Sequence, residues 1–427
     1  MECANSALCL FDKEPLQTDI KNSFDVNYYP LSALGGGNPI EFHIPGTVEE
    51  YIDCDHIFLE TTVKITKKDD TNIDTGTNKV GFINLVIASL FSDVSLTISD
   101  TQVEGGQCMY SYAAYLSTLM QFTPQAQKSH MTVLGWKKDE AGKMEDDANK
   151  GFVDRMAWTK DSKEVTFIGP VYCDFFRQSR YLLSQTDMRL KFTLNRPEFA
   201  LMGLGVGTDF KFAITKAVLR VRRVTVNPSV INGHSIGLDR QNAIYPVLHT
   251  DIKNFTIPKG QSNYTKDNLY PLEAPKMLMI AMVTNESFNG DYKKNPYNFH
   301  HFNLSRLGLF ANGIAIPGRP VTPDFKRGTY VESYVDMMDA YHYFNTDDTN
   351  GLTYEDFGGG FTIYAFDLTP DKSVTDHRKH LVSLSNLRLE LKFDSPLPET
   401  INVILHATFD SHIEITKLRD VIPTYTR

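Results

Sequence analysis

One pattern of residues occurs twice in this chain: a β-hairpin followed by an amphipathic helix. In the first copy, apolar and polar residues alternate over Val94–Val103 with a turn at Ser99–Thr101, which predicts a hairpin. Apolar residues then recur every three or four positions, which predicts a helix over Met109–Phe122. The same spacing predicts a second helix over Val331–Phe344, 222 residues further on. An ordered pattern that recurs indicates an internal duplication.

The segments around these helices repeat as well. The second copy begins with a hairpin whose Asn312-Gly313 turn is the strongest short hairpin signal, because both central residues must take a positive φ. Alternating strands follow in the same order in both copies, as Met188–Leu194 with Leu387–Phe393, and Phe210–Ile214 with Ile401–Leu405. The order predicts two domains of one fold. Chance similarity between two unrelated β domains is the alternative.

Many short strands with turn residues between them, and aromatic residues at 11%, favour an all-β protein. We expect two tandem eight-stranded antiparallel jelly rolls, each with a short helix after a β-hairpin. The predicted boundaries are an N-terminal arm at 1–27, a first jelly roll at 28–227, a linker at 228–239, a second jelly roll at 240–422 and a C-terminal tail at 423–427.

The charge of the chain argues against direct, sequence-specific binding of nucleic acid. The net charge is −9, and the local basic clusters are Arg220–Arg223, interpreted as a solvated strand face with a β-bulge at Arg222-Arg223, and His377–His380. No run of eighteen apolar residues predicts a transmembrane segment, and the N-terminus lacks the features of a secretory signal. The five cysteines form no CxxC pair, which favours reduced thiols in an intracellular setting.

Thr123–Lys163 is the most polar stretch of the chain and contains Lys137, Lys138, Asp139 and Glu140. A loop of this length is uncommon inside a compact domain and is typically exposed and functional. The sequence therefore predicts an exposed surface loop here.

Residues that could carry chemistry are few, and we expect no catalytic, cofactor-binding or metal-binding residues and no cofactor. An acidic loop with Asp348, Asn350 and Gly351 lacks carboxylates at the first and last ligand positions of a calcium loop. His300 and His301 are adjacent, so on a strand they point to opposite faces. The acidic cluster of Glu49, Glu50, Asp53 and Asp55 is interpreted as a solvated loop. The fold brings the residues of a catalytic triad together from distant positions, so the spacing of Ser, His and Asp in the sequence does not exclude one.

The chain resembles the double jelly-roll major capsid proteins, which include adenovirus hexon and the capsid proteins of virophages, Polinton or Maverick elements and adintoviruses. The resemblance spans about Tyr28 to Ile422. It lies in Leu85–Asp100 (LVIASLFSDVSLTISD), Tyr110–Leu116, Leu309–Pro317 (LFANGIAIP), Tyr330–Tyr341 and Phe361–Pro370 (FTIYAFDLTP). Ser99-Asp100 stands where such proteins often have Asn-Gly, and the chain is too short for the surface towers of hexon.

This resemblance implies a structural protein of the virion and not an enzyme. Three chains would form a homotrimer whose six jelly rolls make a pseudo-hexameric capsomer, and capsomers would tile an icosahedral shell around a double-stranded DNA genome. Neighbouring capsomers and a single jelly-roll penton protein would be its partners, and assembly would take place in the host cytoplasm or nucleus. The 123–163 loop would lie on the outward or inter-subunit surface.

Two other readings of a jelly roll remain open. A carbohydrate- or receptor-binding module would show an exposed aromatic face or metal ligands. An enzyme of the cupin type would need a cluster of His and Glu around a metal.

Overall fold

The computed structural model describes residues 16–35, 37–74, 79–204, 209–271, 273–374 and 386–425. Strands make up 41% of the structure and helices 20%. The strands of the first half are β1 (Ile20–Tyr28), β2 (Ile40–Ile44), β3 (Glu50–Lys67), β4 (Lys79–Phe82), β5 (Phe91–Ile98), β6 (Thr101–Glu104), β7 (Val165–Pro170), β8 (Met188–Leu194), β9 (Leu201–Leu204) and β10 (Phe210–Val226). Those of the second half are β11 (Ala243–Ile257), β12 (Asn263–Lys266), β13 (Met277–Thr284), β14 (Leu304–Ala311), β15 (Ile314–Val321), β16 (Ile363–Asp367), β17 (Leu387–Phe393), β18 (Ile401–Ile415) and β19 (Val421–Pro423).

Helices occupy the connections between these strands. The α-helices are α1 (Val86–Ser89), α2 (Tyr110–Gln121), α3 (Pro124–Lys128), α4 (Lys150–Trp158), α5 (Pro197–Ala200), α6 (Pro228–Leu238), α7 (Asn285–Asn289), α8 (Val331–Asp339) and α9 (Tyr354–Gly358). Short 3₁₀ helices lie at His130–Leu134, Lys160–Ser162, Asp174–Arg177 and Tyr343–Asn345.

Each half is built from two four-stranded antiparallel sheets with the same strand order. Sheet I is β1-β10-β3-β7 in the first half and β11-β18-β13-β16 in the second, where β19 also pairs with β18. Sheet II is β2-β8-β5-β6 in the first half and β12-β17-β14-β15 in the second. Leaving aside the small β4–β9 pair, the strands of one half correspond to those of the other in chain order. The predicted double jelly roll is confirmed.

Both predicted hairpins are present, and their turns use the backbone conformation that the sequence requires. Ser99 turns the β5–β6 hairpin with a φ of 51°. Asn312 and Gly313 turn the β14–β15 hairpin with φ angles of 51° and 84°. Asn and Gly are the residues that tolerate this left-handed conformation best.

Substitution of Gly313 by alanine should cost about 1–2 kcal/mol of unfolding free energy, because a Cβ is strained at positive φ. Nothing lies within 4 Å of the position that a Cβ would take, so the effect is conformational and not steric. The matched control is Gly233, which has equally open space but lies within α6. There Gly→Ala should instead stabilise the protein by about 0.5–1 kcal/mol. Urea denaturation of both variants tests the opposite signs.

The two predicted helices differ in how far they extend. Helix α2 covers Tyr110–Gln121, close to its predicted range. Helix α8 ends at Asp339, five residues before the predicted end. His342 takes a left-handed conformation with a φ of 57°, which breaks the α-helix, and a short 3₁₀ helix follows.

The segments predicted as arm and linker contain regular structure. Residues 20–27 of the expected arm belong to β1, which pairs with β10 along its length. Most β1 side chains are exposed, so the strand is held by backbone pairing and shows no apolar alternation in the sequence. Residues 1–15 lie outside the described part. The linker holds helix α6, capped by Asn227 and opened by Pro228. The domain limits themselves remain a prediction.

The acidic cluster at the start of β3 is part of a sheet, so the expectation of a solvated loop was wrong. Asp53 is buried within the strand, and Glu50 forms an ion pair with Arg223 at 3.0 Å. The pairing of β3 with β10 shifts between Val221 and Arg222, which leaves residues 54–56 of β3 unpaired. The pairing is therefore irregular beside Arg222, but the bulge lies in β3 and not at Arg222-Arg223 of β10, where the sequence predicted it.

Candidate functional site: the junction between the two halves

The polar stretch Thr123–Lys163 folds into short helices that bury part of their side chains, so the prediction of a loop was wrong, although polar residues such as Lys128 and Lys143 are exposed. It contains α3, α4 and two 3₁₀ helices, and it buries Trp136, Phe152 and Arg155 almost completely. In the sequence, charged residues flank these buried side chains, so no apolar periodicity marks their burial. The available signals were the two helix caps, Thr123 before Pro124 and Asn149 before α4.

A buried ion pair lies at the centre of this segment. Arg155 donates from Nη2 to Asp139 Oδ1 at 2.7 Å, and both side chains are fully buried. The remaining guanidinium donors reach the carbonyl oxygens of Phe82 and Lys137, at 3.0 and 2.6 Å. Asp139 Oδ2 accepts a hydrogen bond from Asn295 of the second half, at 3.2 Å. The pair therefore organises the first half and also connects it to the second.

Aromatic rings cross the junction beside this pair. The ring of Tyr115 on α2 stacks on that of Tyr297 from the second half, with centroids 3.9 Å apart and planes 2° apart. Trp136 also stacks on Tyr115, with ring centroids 5.4 Å apart. The hydroxyl of Tyr297 lies 2.6 Å from that of Ser89 in the first half. Ring packing and hydrogen bonding thus hold the two halves at one point.

Polar contacts extend the junction to the segments that precede β14 and β16. Lys138 donates to Asp356 Oδ2 at 2.7 Å and to the carbonyl oxygen of Gly351 at 2.9 Å. Glu145 receives Lys294 at 3.4 Å and the side-chain amide of Asn298 at 3.2 Å. Residues 123–163 of the first half therefore make direct polar contacts that hold two segments of the second half in place.

A second set of contacts joins the halves near β11. Asp174 accepts from the backbone N–H of Thr250 at 2.6 Å and from its hydroxyl at 3.0 Å. Behind it, Glu104 accepts from the backbone N–H groups of Asp174 and Phe175, at 3.0 and 2.7 Å. Burial raises the pKa of Glu104 from 4.5 to about 8, and the neighbouring Asp174 carboxylate adds to the rise.

This raised pKa predicts that stability falls as the pH rises. The folded chain keeps a proton on Glu104 that the unfolded chain releases above its ordinary pKa of 4.5, so the unfolding free energy should decrease between about pH 4.5 and about pH 8. Glu104→Gln should flatten this part of the profile, whereas the exposed carboxylate Glu355, changed to Gln, should not. Urea midpoints across this pH range measure the slope. An unchanged slope in Glu104→Gln would contradict the assignment.

A cavity of about 460 Å³ lies between these contacts. Its walls come from both halves and carry mixed charges, with Asp93, Glu104, Asp174, Arg177 and Lys253 among them. Hydrogen bonds and ion pairs within the protein occupy the carboxylates, including Asp93, which accepts from the backbone N–H of Gly106 at 2.9 Å. The carboxylates that line the cavity thus take part in structural contacts.

His300 and His301 lie outside the strands and line one cavity together with Glu145, so the expectation that they point to opposite faces of a strand was wrong. Asn350 is buried, and its side-chain oxygen accepts from the backbone N–H of Leu352. His301 stacks on Phe325 at 4.1 Å, and burial lowers its pKa to about 4. Within the described residues, no three His, Cys, Asp or Glu side chains are grouped as metal ligands.

The basic cluster Arg220–Arg223 is neutralised by carboxylates on neighbouring strands. Arg220 lies 3.7 Å from Glu60, and Arg222 lies 3.3 Å from Asp25. Arg223 is buried and so departs from the predicted solvated face, which Arg220 and Arg222 retain. The second cluster, His377–His380, lies outside the described residues. In the part of the chain that the structure describes, no helix combines the length and apolar character needed to cross a membrane.

Comparison with known sequences gives one informative relative. No protein-family model matches the chain. A Caenorhabditis elegans protein described as uncharacterized is 24% identical over 418 residues, which cover 95% of this chain and 98% of that protein. The similarity therefore extends over both halves and the junction.

Solved structures resemble the chain over nearly its whole length. A chain of the Sputnik virophage matches with a TM-score of 0.68 at 12% identity, over 99% of this chain and 93% of that one. The Faustovirus major capsid protein matches at 0.61 and 9%, over 96% and 92%. The mavirus major capsid protein matches at 0.55 and 11%, over 100% and 96%. The chain has the double jelly-roll fold of viral major capsid proteins. Among these three structures, its similarity is greatest to the virophage Sputnik chain.

Proposed function

We propose that this chain is a viral major capsid protein that forms homotrimeric, pseudo-hexameric capsomers. The observation that carries the proposal is the tandem repetition of one strand order in both halves, held together by a buried junction. Two similar domains in each of three chains approximate six equal walls, so threefold symmetry produces a nearly hexagonal block. Such blocks can tile an icosahedral shell.

The partners follow from this architecture. Neighbouring capsomers would meet along the edges of each block, and a single jelly-roll penton protein would close the fivefold positions. The protein would reside in the virion, after assembly in the host cytoplasm or nucleus. Residues 1–15 would be available to connect neighbouring blocks.

The electrostatics favour a shell protein whose genome contacts are indirect. The net charge of −9 and the pairing of each arginine of Arg220–Arg223 with a carboxylate or an aromatic ring leave little basic surface there for a phosphate backbone. Packing of a double-stranded DNA genome would then be the task of other, basic proteins. An absence of clustered metal ligands in the described residues and a cavity occupied by internal contacts favour a structural role over an enzymatic one.

The oligomeric state of the purified protein tests the proposal. Light scattering coupled to size-exclusion chromatography should give three times the chain mass of 48.3 kDa. Negative-stain electron microscopy should show hexagonal blocks, and concentrated samples should form sheets or shells. A monomer that persists at high concentration, with no hexagonal particles, would overturn the proposal. Binding to a glycan array by such a monomer would favour the carbohydrate-binding alternative.

A further inference from the structure

Two corresponding strands of the halves differ in how well they are covered. In β18, all seven residues of 401–407 are buried. In β10, the six residues that correspond pair by pair to 401–406 are 210–214 and 216, because Thr215 is an unpaired bulge residue, and of these six only Phe210 is buried. A strand buried along every residue is covered on both faces, whereas alternating exposure indicates one open face. Sheet I is therefore covered on both sides in the second half and open on one side in the first.

Strand pairing identifies the corresponding residues on these open and covered faces. We count residue pairs from Phe210–Lys67 in the β10–β3 pairing and from Ile401–Thr284 in the β18–β13 pairing. The sixth pair contains Thr62 of β3 in the first half and Met279 of β13 in the second. Thr62 pairs with Lys216, and Met279 pairs with His406. Lys216 is thus the counterpart of His406.

Helix α2 provides part of the cover in the second half. The hydroxyl of Ser117 on α2 lies 3.3 Å from Nε2 of His406. Nine of the twelve residues of α2 are buried, because the helix lies between the two halves. The corresponding helix α8 buries only three of its nine residues, and Val331 and Val335 remain exposed. Helix α8 therefore has a face for which the single chain supplies no partner among the described residues.

The counterpart of Ser117 on α8, at the spacing of 222 residues, is Asp339. Asp339 is exposed, and no residue in the described part of the chain forms an ion pair with it. Lys216 is 55% exposed, and its ion pair among the described residues is with Glu60, at 2.6 Å. The contact between Ser117 and His406 within one chain thus corresponds to an acidic and a basic residue that are both accessible.

Charge complementarity extends beyond this pair. Helix α8 carries Glu332, Asp336 and Asp339 on nine residues. One carboxylate oxygen of Asp336 is buried without a hydrogen-bond partner in the described structure, and burial with the neighbouring acids raises its pKa to about 6. On the open face of sheet I, Arg220 and Arg222 are paired with Glu60 and Asp25, and Lys211 is paired with Asp70. The excess positive charge on this face therefore comes from Lys64, which has no ion pair among the described residues, and from Lys216, which shares Glu60 with Arg220.

We propose that α8 of one chain docks on the open face of sheet I in the first half of a second copy, with Asp339 facing Lys216. The inference rests on the proposed trimer and names the surfaces that build it. The contact repeats, between chains, the packing that α2 makes within the chain. A head-to-tail contact of this kind closes into a ring when the rotation between subunits fits, here after three chains.

The side chains of the two faces differ as expected if one face is covered within the chain and the other only by a second chain. In the second half, which is covered within the chain, Met279 and Ala281 occupy positions that Thr62 and Lys64 occupy in the first half. A surface that meets its partner only after folding must remain soluble, so it carries charges in place of apolar side chains. Between separately folded chains, opposite charges also select the correct partner surface.

Cross-linking tests the contact directly. In a full chain whose Cys3, Cys9 and Cys108 are replaced by serine, Asp339→Cys with Lys216→Cys should give covalent dimers and trimers when treated with a short bismaleimide. The matched control combines Asp339→Cys with Lys392→Cys, an exposed position on sheet II, and should give none. A trimer by light scattering that forms no cross-link between 339 and 216 would overturn this inference and leave the proposed capsomer intact. An unmodified chain that remains monomeric would overturn the proposed function instead.

Charge reversal provides a second measurement. Asp339→Lys should raise the dissociation constant of the trimer at least tenfold, because it places like charges at each of three contacts. Adding Lys216→Asp should restore association by exchanging the two charges. Since Asp339 is exposed and unpaired within the described chain, thermal unfolding of the single variant under dissociating conditions should match that of the unmodified protein. Equal trimer stability in all three proteins would contradict the docking.

Discussion

Substitution of Asp139 by alanine should lower the free energy of unfolding by about 3–5 kcal/mol, because it leaves the Arg155 guanidinium buried without its counter-ion. It also removes the acceptor of the hydrogen bond from Asn295, so the connection between the halves weakens at the same time. Urea denaturation followed by tryptophan fluorescence suits this measurement, since Trp136 lies in the same segment.

Two controls separate the buried charge from a general effect of truncation. Asp147→Ala breaks the exposed ion pair with Lys79 and should change stability little. Combining Arg155→Met with Asp139→Asn removes both charges and keeps an acceptor, so it should destabilise the protein less than Asp139→Ala alone. If the double substitution proves the more damaging, the cost lies in lost hydrogen bonds and not in the uncompensated charge.

Truncation of Tyr297 to alanine should have the second large effect, a loss of about 3–5 kcal/mol. The substitution removes a fully buried ring that stacks on Tyr115 and leaves a cavity at the junction. Tyr297→Phe keeps the ring and loses the hydroxyl contacts with Ser89 and with the carbonyl oxygen of Ser111, so it should cost about 1 kcal/mol.

The location of Tyr297 at the junction gives this prediction a further readout. Limited proteolysis of Tyr297→Ala should release fragments cut near α6, because the halves separate more often when their contact is weakened. The exposed ring of Tyr29 provides the comparison, and Tyr29→Ala should alter neither the urea midpoint nor the cleavage pattern. Unchanged proteolysis in Tyr297→Ala would show that other contacts hold the halves together.

The parts of the fold that could be predicted from sequence are those set by local patterns. Alternation over Met188–Leu194 and Leu387–Phe393 gave strands with these bounds, because one face of each strand is buried and the other is not. The Asn312-Gly313 turn was predictable because few other residue pairs adopt its conformation. Because these predicted elements occur in the same order twice, they also indicated that both halves share one topology.

The junction could not be predicted, because its energetics depend on contacts between distant residues. Asp139 and Arg155 look like solvated charges in the sequence, and only the fold buries them against each other. Trp136 is followed at once by Lys137 and Lys138, so no apolar period marks its burial. Strand β1 escaped prediction for a different reason, since backbone pairing to β10 holds it while its side chains face solvent.

Helix α6 joins the two jelly rolls covalently, and this connection has a kinetic consequence. Each half meets its partner by an intramolecular collision, at an effective concentration that dilution cannot reduce. In the proposed ring, three of the six junctions would therefore form during folding and only three would depend on encounters between molecules. Capsomer yield would then scale with the third power of chain concentration, where six separate single-domain chains would require the sixth.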